Sequence, residues 1–142
     1  MTRASVALAP LFERLWSDAC HAGAVAGGRA AVAPMIVTQR ASVLDDSSPI
    51  VQQYVVAGGV CGFAWLQFKG TTPFGRWAKE TKLASASYGG GLQISCREFG
   101  QSMQRKEAWC YGVAKSLQSF GAYSFGGKQY DFTDVYSCSR MD

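Results

Sequence analysis

The chain has 142 residues, 48% of them hydrophobic and 17% charged, with a net charge of +4, which fits one compact domain and excludes a large multidomain enzyme. No apolar run approaches the roughly 20 residues that a membrane-spanning helix needs. Glu13 and Arg14 interrupt the one N-terminal stretch that could imitate a secretory signal, so the protein is expected to stay soluble in the cell that makes it, its five irregularly spaced cysteines reduced.

Residues 10–33 read as a helix, with Pro10 at its first position and Phe12, Leu15, Trp16, Ala19 and Cys20 recurring at three- and four-residue steps. The Ala/Gly-rich stretch from Ala22 weakens it, and Gly27-Gly28 is expected to end it. Residues 34–57 look extended. Pro34 and Pro49 bracket the polar run Asp45-Asp46-Ser47-Ser48, which reads as a linker or arm. Residues 1–57 are therefore expected to form an N-terminal helix plus arm, and 58–142 a compact α+β domain.

Within that domain, Val60 to Lys69 predicts a strand, and its aromatic residues Phe63, Trp65 and Phe68 suggest that it is covered on both faces. Thr72-Pro73 opens a helix as cap and first residue, running to about Leu83. Leu92, Ile94 and Cys96 alternate with polar residues, the period of a half-buried strand. Ser102 caps the best helix, striped by Met103, Cys110, Val113, Leu117 and Phe120, with Gly121 as its stop. Gly126-Gly127 predicts a hairpin turn, and Val135 to Ser139 a last strand. The expected architecture is one mixed or antiparallel sheet packed against two helices.

Few residues suggest chemistry. His21 is the only histidine and Cys20 points about 100° away from it around a helix, so the pair forms no nucleophile and base. No C-x₂-C pair offers a zinc site, and no glycine run matches a phosphate-binding loop. Neither a metal nor a cofactor is expected. Asp45-Asp46 and Asp131/Asp134 read as solvated turn residues. Charge is uneven: residues 61–127 carry eight basic and three acidic side chains. Gln101, Gln104, Arg105 and Lys106 gather at a helix start, where cations are unfavourable. With Arg76, Lys79 and Arg97 they form the candidate binding face, whose repulsion an acidic or phosphate partner would relieve. Reversing Arg105 and Lys106 to Glu is expected to abolish binding with little change in stability.

The segments Gly59-Val60-Cys61-Gly62-Phe63-Ala64-Trp65, Gly89-Gly90-Gly91-Leu92-Gln93-Ile94-Ser95 and Gly100 to Ala108, with the terminal Ser139-Arg140-Met141-Asp142, resemble a widespread family of small tailed-bacteriophage proteins without an assigned activity. The likeness covers about Val51 to Asp142. It departs after Gly121, where Tyr123 to Cys138 intervene before the final Ser-Arg-Met-Asp. The resemblance implies a phage protein, not an enzyme, that binds a host protein or defence complex in the host cytoplasm as an anti-defence, anti-CRISPR-like inhibitor, with nucleic acid or a nucleotide as an anionic ligand. A virion accessory or capsid-decorating protein, attached through the arm and the last hairpin, is the alternative. A small enzyme using Cys61 or Cys138 is the third.

Overall fold

A computed structural model describes residues 2–142. Thr2 caps the first helix, α1 (Arg3–Gly28), its hydroxyl accepting from Ser5 N at 3.2 Å. The helix thus begins seven residues before Pro10, which lies inside it and not at its first position. Proline removes the bond to the carbonyl four residues back. Here that carbonyl belongs to Val6, which is exposed, as is Pro10, so water can take the vacant acceptor.

The glycines of α1 have a packing role. A Cβ on Gly23 would lie 2.7 Å from Val113 Cγ2, and one on Gly112 would lie 3.0 Å from the Ala22 carbonyl oxygen. Bare backbone at this crossing lets α1 approach α3 (Met103–Ser119) closely, which offsets the propensity cost of about 1 kcal/mol per interior glycine.

Residues 35–56 are ordered as a hairpin of two antiparallel strands, β1 (Met35–Arg40) and β2 (Ile50–Val56), where an extended arm was expected. Ser48 organises its turn by accepting from Ser42 N and donating to the Asp45 carbonyl. None of its residues belongs to the hydrophobic core.

The central sheet comprises β3 (Gly62–Phe68), β4 (Ser85–Ala86), β5 (Leu92–Ser95) and β8 (Tyr136–Met141), ordered β4-β5-β3-β8 and antiparallel throughout. Its inner face presents Gly62, Ala64, Leu66 and Phe68 to the helices. The expectation that β3 is covered on both faces fails: Phe63 is exposed, and Trp65 and Gln67 are half-buried on the opposite face. Helix α2 (Pro73–Glu80) has the expected Thr72 cap. It stops before Leu83, ahead of Lys82, whose φ of 62° lies in the left-handed region. Strands β6 (Tyr123–Phe125) and β7 (Lys128–Tyr130) turn through Gly126 and Gly127 at φ of 62° and 80°, as a two-residue hairpin requires.

One core joins all these layers except the β1–β2 arm. Phe12 of α1 is fully buried, its ring 5.5 Å from Phe74, 5.7 Å from Trp77 and 5.3 Å from Tyr123. The expected boundary at residue 57 therefore has the arm on its outer side, while α1 belongs to the body. Tyr123, Phe132 and Val135 are buried too. These three side chains anchor the segment 123–138 in the core, while Asp131, Thr133, Tyr136 and Ser137, like the β6–β7 tip, are exposed.

Candidate binding face

The residues picked out at the start of α3 form a latch. Ser102 Oγ caps α3 at Arg105 N and donates to the Gly58 carbonyl at 2.8 Å. The Gln101 carbonyl accepts from Gly62 N, Met103 N donates to the Val60 carbonyl, and Gln104 Oε1 accepts from Ala33 N at 3.0 Å. Arg105 Nη1 donates to the Gly27 and Gly28 carbonyls at 3.0 and 3.1 Å. The unfavourable cation at one helix N-terminus is therefore satisfied by the C-terminus of another, where positive charge belongs.

Lys106 is only 6% exposed, its Nζ donating to the Gly62 carbonyl at 3.3 Å. Arg105 and Lys106 are thus structural, which overturns the expectation that both can be reversed at little cost. Nor do the seven candidates share one face. Lys79 adjoins Glu80, which accepts from Thr2 N and Ser5 Oγ at the N-terminus of α1, whereas Arg105 holds the opposite end. At 1.5 Å per residue, the 26 residues of α1 separate these ends by roughly 39 Å. Arg76 lies exposed on α2 with Lys79.

Arg97 belongs elsewhere. It is exposed after β5 and, with Lys82 and Glu98, borders a depression of about 360 Å³ that Gln93 and Ser95 also line. Gln93 and Ser95 also line a second depression, of about 590 Å³, over the outer face of the sheet.

The strand register builds that outer face. Phe63 pairs with Arg140, Trp65 with Cys138 and Ser95, and Gln67 with Tyr136 and Gln93, and cross-strand partners project to the same side. Tyr88, from the loop before β5, is fully exposed and lines the same depression. The Phe63 ring lies 5.7 Å from Arg140 Cζ and 5.4 Å from Lys106 Nζ. Trp65 Nε1 donates to Gln67 Oε1 at 3.3 Å. The available signal was the contrast between small Gly62 and Ala64 on one side of β3 and aromatic Phe63 and Trp65 on the other: the helices lie over the small residues.

The remaining chemistry-bearing groups are committed elsewhere. Asp131 Oδ1 accepts from Thr133 N and Oγ1, bonds that hold its carboxyl below the ordinary range, and Asp134 accepts from Lys69 N. Burial pushes the Cys20, Cys96, Cys110 and Cys138 thiols up, opposite to the shift that activates a cysteine. Cys138, like Cys20 and Cys61, is half-buried. Among the described residues no group of three or more His, Cys, Asp or Glu could hold a metal ion, and no helix is long and apolar enough to cross a membrane. The fold and this face define an α+β protein with one open, aromatic-bearing sheet surface. Comparison with protein-family models, curated proteins and solved structures finds no match.

Proposed function

We propose that the protein is a non-enzymatic binding module that acts by occupying a surface of another macromolecule. The phage resemblance gives the setting: a host protein or defence complex in an infected bacterial cytoplasm, with an anionic ligand at the contact. The observation that carries the reading is the open sheet face, where Phe63 is 42% exposed and fully exposed Tyr88 lines one depression with half-buried Trp65. Aromatic side chains left uncovered on a rigid sheet are favoured contact residues. The test is a tagged pull-down from phage-infected cells, with and without nuclease, beside the proteome of purified virions. A stoichiometric partner retained by the parent chain and lost by a Phe63→Ser/Tyr88→Ser variant supports the reading. Recovery of the same partner by that variant sinks it.

A virion accessory role is the second reading, favoured by the β1–β2 arm. Val43 and Leu44 at its tip are 98% and 97% exposed, and a lone two-stranded hairpin is marginal in water unless something covers it. Fixed-copy presence in purified particles, lost on removal of the arm, would select this reading over the first.

A further inference from the structure

We propose that the open sheet face binds unpaired nucleotides of single-stranded nucleic acid, laid across the strands from β8 towards β4. This rests on the reading of that face as the contact surface and names its ligand. Three observations converge on it.

The first is composition. Phe63, Trp65 and Tyr88 line the depression together with Gln67, Gln93 and Ser95, which offer amide and hydroxyl groups. No leucine, isoleucine or valine lines the depression. A face meant for an apolar protein patch would carry aliphatic side chains. Rings interleaved with hydrogen-bonding groups instead suit bases, which stack on aromatic surfaces and expose polar edges.

The second is charge. Arg140 is the one charged residue lining the depression, and no carboxylate lines it. Buried Lys106 adds its cation near the same Phe63 ring. Past Gln93 and Ser95 the surface continues to Lys82 and Arg97, with Glu98 as the one acid lining that side. Cations thus stand at both edges of the aromatic strip, where a crossing strand would place phosphates. The three strand spacings from β8 to β4 span about 14 Å.

The third is access. Among the described residues Phe63, Ser95 and Arg140 are exposed on this face, and Tyr88 stands at the head of Gly89-Gly90-Gly91, whose last two residues have φ of 103° and 73°. A duplex keeps its base faces stacked inside, so an aromatic platform of this kind discriminates against it.

The test titrates the full chain into fluorescein-labelled oligo(dT), oligo(rU) and a DNA duplex of equal length, read by fluorescence anisotropy at low and raised salt. Binding to at least one single strand, about tenfold or more tighter than to the duplex and weakened by salt, is expected; the two single-stranded arms distinguish DNA from RNA. Tyr88→Ala and Arg140→Glu, both at exposed positions, should each weaken binding at least about fivefold with an unchanged circular dichroism spectrum. Arg76→Glu, which makes the same charge change on α2, should leave it within about twofold. Absence of binding at low salt, equal affinity for duplex and single strand, or unchanged affinity in both face variants overturns the inference. If no oligonucleotide binds while the Phe63/Tyr88 variant still loses a nuclease-resistant partner, the ligand class is wrong and the contact surface stands. If that variant also keeps its partner, both fail.

Discussion

Lys106 places a charge where there is almost no water, and the chain manages this with one carbonyl and one ring: the Gly62 oxygen accepts its Nζ, and Phe63 lies beneath it. Gly62 itself is tightly enclosed, since a Cβ there would sit 2.5 Å from the Arg140 carbonyl oxygen and 2.7 Å from Met103 Sδ. A carboxylate at position 106 would instead face the Gly62 carbonyl oxygen, acceptor against acceptor. Lys106→Glu is expected to cost about 3 kcal/mol or more. Arg105→Glu adds about 1 kcal/mol by setting a negative charge against the C-terminus of α1. The double variant should therefore melt about 10 °C lower than the parent, whereas Arg76→Glu should melt with it; thermal and urea denaturation followed by circular dichroism check both. Equal melting of parent and double variant would show that neither cation is structural.

Elements divide into those that the body needs and one that it does not. Since no residue of 35–56 enters the core, replacing that segment with a short Gly/Ser linker should leave the melting transition of the body within about 3 °C, measured by calorimetry. A fall of tens of degrees would show that the arm supports the fold. The elements that could be read from the chain are those set by local chemistry: the Thr72 and Ser102 caps, the alternation of Leu92, Ile94 and Cys96, the stop at Gly121 and the Gly126-Gly127 turn all act within a few residues. The N-terminal start of α1 was hidden by Pro10, whose usual place at a helix start is overridden here by an exposed Val6 carbonyl. The binding face was misread for a related reason. Arg105 and Lys106 reach partners 78 and 44 residues away, and no periodicity carries such distances. Of the seven candidates, Arg97 borders the face proposed here and buried Lys106 lies against its Phe63 ring.

At the scale of the whole molecule, α1 belongs with the sheet and α3. Phe12 sits within an aromatic group that includes Phe74, Trp77 and Tyr123, and Trp16 meets Trp109 edge to face at 6.4 Å. A fragment of residues 58–142 would expose the surfaces that α1 covers. Truncating one buried phenylalanine alone costs roughly 3–5 kcal/mol, a large part of the total stability of a small domain. The fragment is expected to lack a cooperative transition and to bind a hydrophobic dye, and adding a synthetic α1 peptide in trans should restore the transition; a fragment that melts cooperatively alone would make α1 an accessory layer. The same packing has a consequence during synthesis. Helix α1 is synthesised before α3, and the Arg105 side chain that closes its last turn lies 78 residues downstream of Gly27. At about 5–20 residues per second, the nascent chain carries an unpartnered apolar stripe for roughly 4–16 seconds, an interval in which that surface is open to chaperones and to aggregation.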